Sequence, residues 1–218
     1  MKNKIIQTVI VVMGIILTIS TTSCVTKKKI VHERNDSYIA DLDAFGVETF
    51  HLYASSSNIG KVKVSDFYVT FAPRTNYILI TGRVGINAIR ISFSYEERQS
   101  LLKAHDAYIA AFESSSLRDV KPTKKNAFTS GTAYVEWGAA GLGHEVETTY
   151  FTNTQFLEEN KPYFLIQFNQ TEEKISEVYS PKLFIYISPS QWEKIIEACN
   201  QEHLISMTDK IVEEAEAF

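Results

Sequence analysis

The chain contains 218 residues, of which 44% are hydrophobic and 22% are charged, and its formal net charge is −4 at pH 7. Five prolines and nine glycines are too few for a collagen-like or low-complexity chain, whereas 13 phenylalanines, 11 tyrosines and 2 tryptophans are too many for a disordered one. A coiled coil and a polytopic membrane protein are also excluded, so we expect the chain to fold around an apolar core.

The first 23 residues have the three regions of an export signal. Lys2 and Lys4 form a basic start, an apolar run covers residues 5–19, and small polar residues lead to Cys24. As a helix this run would measure about 22 Å, which is shorter than the roughly 30 Å hydrocarbon core of a bilayer. A cleaved signal is therefore expected rather than a transmembrane span, and it leaves a mature chain of 195 residues.

This segment resembles a bacterial lipoprotein signal, in which a cysteine after small residues receives a diacylglyceryl group and becomes the new N-terminus. Cys24 is the matching residue, because its thiolate is the strong nucleophile that thioether formation needs. Thr21 departs from the pattern, which usually has Leu or another aliphatic residue there. The resemblance covers residues 1–24 and implies a palmitate-bearing anchor in the cell envelope. A plain signal peptide and an uncleaved anchor are the alternatives.

Two further features bear on location and partners. Val25 stands where an Asp would, in some diderm bacteria, signal retention at the inner membrane, so the outer membrane is favoured. Without the signal, 20 basic and 26 acidic side chains remain, a formal net charge of −6. Binding of nucleic acid depends mainly on neutralising phosphates with Lys and Arg, so no nucleic-acid partner is expected. The expected partners are the membrane, through the anchor, and a protein or small-molecule ligand.

The mature chain is expected to contain a polar tether at residues 24–44, with a short helix near 37–45, and then two similar units at 45–126 and 127–203. Alternating hydrophobicity interrupted by turn residues predicts four strands in each unit. The predicted strands are 47–54, 62–72, 77–84, 88–93, 132–137, 145–153, 163–168 and 182–187.

Each unit is expected to end in a capped helix. Ser94 followed three residues later by Glu97 is the pattern of a capping box, and it predicts a helix to about Glu113. In the second unit, Ser188 or Ser190 is the predicted cap, with a proline in the first turn. The expected fold class is α+β: antiparallel sheets with helices on one face, in which a ββββα unit is duplicated.

Residues 204–218 carry apolar side chains at helical spacing and predict a C-terminal amphipathic helix that starts near Ser206 and Asp209. This helix either packs against the sheet or docks onto a partner.

An unusual loop lies between the first two strands of the second unit. It contains Gly138, Gly141 and Gly143, followed directly by His144 and Glu145. Its backbone amides could face an anion, with His144 as an acid or base, so this loop is a candidate binding site. No helix follows the loop, however, so it lacks the helix N-terminus of a phosphate cradle. The alternative is a hairpin connection whose glycines supply positive φ angles.

The remaining side chains give no strong catalytic motif. No two histidines have metal-ligand spacing on one element, so neither a metal site nor a cofactor is predicted. His105 falls on the apolar face of the first predicted helix, as a buried histidine or as a catalytic base. The Gly-x-Ser-x-Gly motif of hydrolases is absent from the sequence. An envelope hydrolase using His144 or His105 is therefore an alternative to a non-enzymatic protein.

Aromatic residues are concentrated in the predicted strands. The neighbours in Phe67-Tyr68 and in Tyr150-Phe151 must point to opposite faces of a strand. One face would pack beneath the helices, and the other would either stabilise cross-strand pairs or form a binding surface. The expected function is therefore a membrane-anchored, non-enzymatic binding or envelope-structural module that uses an aromatic-rich sheet face.

Overall fold

A computed structural model describes residues 33–57, 60–158 and 160–217. The predicted signal, the lipidation residue Cys24 and the first part of the tether lie outside these residues. In the described part, eight strands form one antiparallel sheet that closes into a barrel. Each barrel strand pairs with the barrel strand that follows it in the chain, and the last pairs with the first.

The elements of the structure have the following bounds. The barrel strands are β1 Phe45–Ser56, β2 Lys63–Ala72, β3 Tyr77–Val84, β4 Asn87–Phe93, β5 Ser130–Gly138, β6 His144–Leu157, β7 Lys161–Phe168 and β10 Leu183–Ile187. Between β7 and β10, the short strands β8 Glu172–Glu173 and β9 Val178–Tyr179 form a separate two-stranded ribbon. The helices are α1 Tyr95–Glu113, α2 Pro189–Cys199 and α3 Gln201–Glu216, and Lys124–Asn126 is a turn of 3-10 helix.

All eight predicted strands are present in the barrel, with ends that differ by at most four residues. Strand β2 shows why they form. Phe67, Val69 and Phe71 point inward and are buried, whereas Tyr68 between them is 55% exposed. The inward side chains of all eight strands share one apolar core, and eight strands leave an interior just wide enough for side chains to fill.

The predicted fold class is wrong, because the sheet has no open face for helices to cover. Its edges meet where β1 pairs with β10, from Tyr53 opposite Tyr186 to Ser56 opposite Leu183. Alternating hydrophobicity shows that a strand has one buried and one exposed face, but it does not report the curvature that closes a barrel.

The predicted duplication is not borne out either. Strands β4 and β5 pair from Ala88 opposite Gly138 to Ser92 opposite Tyr134, across the boundary between the proposed units. Neither half therefore has a sheet or a core of its own. The ribbon of β8 and β9 also interrupts the second half and has no counterpart in the first.

Helices α1 and α2 cover one end of the barrel, which we call the helix end. The predicted caps are confirmed. The Ser94 hydroxyl accepts a hydrogen bond from the Glu97 backbone N–H at 3.3 Å, and Ser188 forms a capping box with Gln191. The predicted capping box at Ser94 is only half formed. The Glu97 carboxylate accepts from the Thr132 backbone N–H at 3.1 Å and from the hydroxyl of Tyr150 instead of from the Ser94 backbone.

Helix α3 begins five residues earlier than predicted. Its cap is Asn200, whose side chain accepts from the backbone N–H groups of Glu202 at 2.9 Å and His203 at 3.1 Å. The predicted start near Ser206 is therefore wrong. Leu204 in the first turn is fully buried in the barrel's core cluster, so α3 packs against the domain.

The described part of the predicted tether, residues 33–44, lies against the domain. The predicted short helix is wrong: Asn35 and Tyr38 form an isolated bridge around a turn instead. Ile39 is buried, and its backbone N–H donates to the Pro73 carbonyl at 2.8 Å. Arg34 forms an ion pair with Asp209 on α3.

We call the opposite end of the barrel the hairpin end, because it carries the β3–β4 and β5–β6 turns and the β8–β9 ribbon. None of the helices in the described ranges has the length and apolar character that crossing a membrane requires.

Candidate functional site

The helix end contains an apolar cavity of about 70 Å³ between the barrel interior and the helices, which we call the helix-end cavity. Ten aliphatic and aromatic side chains from β1–β4, β7 and β10 form its barrel wall. The helices contribute Arg98, Leu101 and Leu102 from α1 and Trp192, Ile195 and Cys199 from α2. Leu101, Leu102 and Ile195 are only half-buried, so they form the side of the cavity nearest to solvent.

Among the described residues that line the cavity, Arg98 is the one with a charged side chain, and it is only 3% exposed. Its Nη1 donates to the Cys199 carbonyl at 3.2 Å, and its Nη2 donates to the Asn76 carbonyl at 3.0 Å and side-chain oxygen at 2.7 Å. Gln201 Oε1 accepts from Nη2 at 3.0 Å. All these acceptors are neutral, and burial lowers the Arg98 pKa from its ordinary value because the charged form loses hydration.

The Arg98 side chain also lies between two rings, with its guanidinium carbon 5.8 Å from the centre of Phe71 and 5.6 Å from that of Tyr95. These contacts stabilise the cation. They do not satisfy Nε, which is buried and has no hydrogen-bond partner in the described part of the chain.

Trp192 also lines the cavity and is 4% exposed. Its ring packs edge-on against Phe164, with centres 4.7 Å apart, and lies 4.6 Å from the ring of His105. The indole Nε1 is buried, and no acceptor among the described residues pairs with it.

Two other side chains at the helix end show no catalytic arrangement. His105 is buried between α1 and α2, with its Nδ1 3.2 Å from Asp106 Oδ1. Burial raises the pKa of Cys199 to about 11, so its thiol is protonated at neutral pH and is a weak nucleophile.

The hairpin end carries the histidine of the predicted binding loop. His144 Nδ1 lies 2.9 Å from Glu173 Oε2, and its ring stacks on Trp137 with centres 5.3 Å apart. The hydroxyl of Ser176 donates to the same carboxylate oxygen, and the backbone N–H of Glu145 donates to the other at 2.9 Å. We call His144, Glu173, Ser176 and Trp137 the His144 cluster.

The carboxylate in this cluster is held in its charged form. Hydrogen bonds from the Ser176 hydroxyl, the Glu145 backbone and the His144 ring lower the pKa of Glu173 to about 2. Glu173 belongs to the β8–β9 ribbon, which the strand predictions missed because its two strands have only two residues each.

The glycines of the loop serve its own backbone geometry. Gly141 has φ = +154°, a conformation that side chains rarely adopt, and Gly143 N–H donates to the Trp137 carbonyl at 3.1 Å. A Cβ on Gly138 would lie 2.0 Å from the Gly141 carbonyl oxygen. Two of the backbone amides in and beside the predicted binding loop therefore already donate hydrogen bonds within the chain. The Gly143 N–H donates to the Trp137 carbonyl, and the Glu145 N–H donates to the Glu173 carboxylate.

The two histidines proposed for a hydrolase are not brought together, because His105 lies at the helix end and His144 at the hairpin end. Ser176 and Glu173 also approach the same nitrogen of His144. A proton relay needs the nucleophile on one ring nitrogen and the carboxylate on the other. Within the described ranges, no cluster of His, Cys, Asp or Glu could hold a metal ion.

The aromatic residues of the predicted sheet face are divided by the barrel wall. Phe67 and Tyr150 point inward, while Tyr68 and Tyr134 are exposed on separate strands. Outside the wall, Tyr163, Leu165 and Tyr186 form a second buried cluster that Tyr53 contacts.

Neither Arg98 nor Trp192 was predicted from the sequence as a functional residue. A signal for Arg98 was present, because it stands three and four residues before Leu101 and Leu102 and therefore shares their helix face. A cation on the apolar face of a helix is uncommon unless it has a buried partner.

The fold and this cavity define a class of protein: a closed, eight-stranded up-and-down barrel with an apolar cavity beneath two helices. A family model described as "Uncharacterised Treponema protein" matches residues 21–206, which is most of the chain, so the chain belongs to this family.

A relative from Treponema pallidum (strain Nichols), described as "Uncharacterized protein", is 24% identical over 153 residues. These residues make up 70% of this chain and 56% of the relative, so the chain spans little more than half of the relative's length. No solved structure matches the chain.

Proposed function

We propose that the protein is an exported lipoprotein anchored through Cys24 and that its barrel is a non-enzymatic binding module. Its binding site is the helix-end cavity, and its ligand is a small, largely apolar molecule. The observation that carries this proposal is the cavity of about 70 Å³, lined by apolar side chains at the helix end of the barrel. Cavities with apolar walls and a few polar groups are the usual sites for small ligands in proteins.

The size of the cavity sets a condition on binding. Apolar cavities of about 150 Å³ accept benzene, so a space of about 70 Å³ has to enlarge before it admits a larger molecule. The half-buried side chains of Leu101, Leu102 and Ile195 lie on the solvent side of the cavity, where such a movement displaces the fewest core contacts. Binding is therefore coupled to a shift of α1 or α2.

The course of the chain supports a site that is close to a membrane. The described segment joins the domain at the helix end, where Arg34 pairs with Asp209. Cys24 precedes Glu33 by nine residues, and fully extended chain of that length spans about 30 Å. An anchor at Cys24 limits the distance between the helix end and the bilayer to that range. The bilayer is then a nearby source of apolar ligands.

Binding can be tested with the neutral fluorescent probe N-phenyl-1-naphthylamine and the full-length chain. We expect saturable binding that Leu102→Phe weakens roughly tenfold, because the larger side chain fills the cavity. Ile109→Phe is the matched control: Ile109 is also half-buried on α1 but does not line the cavity. Absence of saturable binding, or equal weakening by both substitutions, would refute the proposed site.

The anchor can be tested by labelling cells with a palmitate analogue. Cys24→Ala should abolish the label and release the protein from the membrane fraction. Cys199→Ala, at the other cysteine of the chain, should leave both unchanged. Continued labelling of the Cys24→Ala protein would exclude the anchor while leaving the cavity proposal open to its own test.

A further inference from the structure

The described residues that form the helix-end cavity offer a ligand almost no polar surface. Most of the lining side chains are aliphatic or aromatic. Arg98 and Trp192 also line the cavity, but Arg98 Nε and Trp192 Nε1 have almost no accessible surface. The terminal nitrogens of Arg98 donate to oxygens of Asn76, Cys199 and Gln201. A charged head group inside the cavity would lose its hydration without gaining hydrogen bonds, so it is excluded from this space.

The volume of the cavity distinguishes the end of a chain from a ring. An apolar cavity of about 150 Å³ accepts benzene, and the helix-end cavity has about 70 Å³. A ring compound such as N-phenyl-1-naphthylamine therefore binds only after the helices shift, and such separation of close-packed walls is costly. The end of an alkyl chain is narrower than a ring and needs less of this movement. The cavity therefore favours an unbranched chain.

The solvent side of the cavity gives this chain a direction. Leu101 and Leu102 on α1 and Ile195 on α2 line the cavity and are half-buried, so this side is nearest to solvent. Their chain neighbours Lys103 and Lys194 are exposed. A head group that remains on this side keeps its hydration while the other end of the chain lies inside.

We propose that the helix-end cavity receives the methyl end of one unbranched alkyl chain and that the polar head of the ligand remains in solvent beside α1 and α2. The ligand class is an amphiphile that the site selects by its chain and not by its head group. This inference rests on the proposed function, because it defines which apolar ligands the same site accepts.

The position of a bromine atom tests the direction of insertion, because bromine quenches tryptophan fluorescence only at close range. Trp137→Phe leaves Trp192 as the one tryptophan of the chain. In this variant we expect 12-bromododecanoate, brominated at the chain end, to quench most of the Trp192 fluorescence. At the same occupancy, 2-bromododecanoate carries its bromine beside the head and should leave the fluorescence nearly unchanged. Equal quenching by both compounds, or quenching by neither at saturation, would overturn the inference.

Trp192→Phe is the matched control. It leaves Trp137, which stacks on His144 at the hairpin end, so neither compound should quench the remaining fluorescence. Displacement of N-phenyl-1-naphthylamine confirms that each variant still binds. If Trp137→Phe does not fold, the same comparison on the unaltered chain decides the question, because Trp192 is the tryptophan that lines the cavity.

Competition against N-phenyl-1-naphthylamine on the full-length chain tests the selection by chain. Decan-1-ol and cyclodecanol both have ten carbons and one hydroxyl group. We expect decan-1-ol to bind at least about fivefold more tightly, because the ring overpacks the cavity. Dodecanoate and dodecyltrimethylammonium share a twelve-carbon chain but have heads of opposite charge. Their affinities should differ by less than about fivefold, since exposed charges contribute little.

The outcomes of this competition separate the inference from the function on which it rests. Equal affinity for decan-1-ol and cyclodecanol would overturn the inference and leave an apolar binding site. A larger difference between the two charged heads would also overturn it, because the site would then recognise the head. If no compound displaces the probe, or if the probe itself does not bind, the proposed function fails together with the inference.

Discussion

The two ends of the barrel differ in how their polar groups are satisfied. At the hairpin end, the carboxylate of Glu173 is bonded by His144, Ser176 and the backbone of Glu145, so the His144 cluster is satisfied by the chain itself. At the helix end, Arg98 and Trp192 each keep a buried donor that has no acceptor among the residues the structure describes. The glycine-rich loop before His144 is the more unusual sequence, yet its histidine makes contacts within the chain. Helix α1 has a less unusual sequence, but it borders the helix-end cavity.

The largest effect on stability should come from removing the buried ring of Trp192 at the helix end. Trp192→Ala removes a buried ring that packs on Phe164 and His105, so we expect the free energy of unfolding to fall by about 3–5 kcal/mol. Urea denaturation measures this change. Tyr179→Ala, at an exposed aromatic of the ribbon, should shift it by less than about 0.5 kcal/mol. Similar losses in both variants would mean that Trp192 does not contribute to the core as described.

A smaller effect is expected from the backbone of the hairpin end. Gly141→Ala places a Cβ at φ = +154° in otherwise open space, so its cost of about 1–3 kcal/mol is conformational. Gly143→Ala also adds a Cβ in open space, but without a positive φ, and should cost less than about 0.5 kcal/mol. Thermal or urea unfolding of the pair measures the difference. Equal stabilities would contradict the loop geometry.

The smallest effect concerns the pH dependence of the His144 cluster. The pKa of Glu173 is about 2 in the folded protein, below its ordinary value of 4.5, so the unfolded chain takes up the proton at higher pH. The stabilisation is complete above pH 4.5 and is lost as the pH falls toward 2. Glu173→Gln should therefore make unfolding less dependent on pH across this interval.

Glu172→Gln, at the exposed neighbouring residue of the ribbon, removes a carboxylate outside the His144 cluster and is the matched substitution for that measurement. A Glu173→Gln protein whose stability follows pH as steeply as the unaltered chain would show that the cluster does not hold the carboxylate ionised.

Several parts of the fold that depend on nearby residues were predictable, although the short helix near 37–45 and the start of α3 near Ser206 were predicted wrongly. The alternation in β2 and the serine caps of α1 and α2 depend on contacts a few residues apart, and each is present where the sequence predicted it. Barrel closure was not predictable in this way, since it depends on β1 meeting β10 about 130 residues later in the chain. Strand patterns do not encode which distant edges pair.

The same limit applies to the candidate site. His144 and the glycines before it were noticed because they are close together in the sequence. Glu173, which hydrogen-bonds to His144, comes from a ribbon 29 residues later. Arg98 and Trp192 come from helices 94 residues apart, so their shared cavity became visible only in the folded barrel. Residue type alone also does not show whether a buried donor will find an acceptor.

The most direct test of the binding site is a crystal structure of the full-length chain with 12-bromododecanoate, in which anomalous scattering locates the bromine. The account predicts the bromine in the helix-end cavity, among residues such as Phe67 and Ile185. Bromine found only on the outer surface or at the hairpin end, with the helix-end cavity unchanged at saturating ligand, would contradict it.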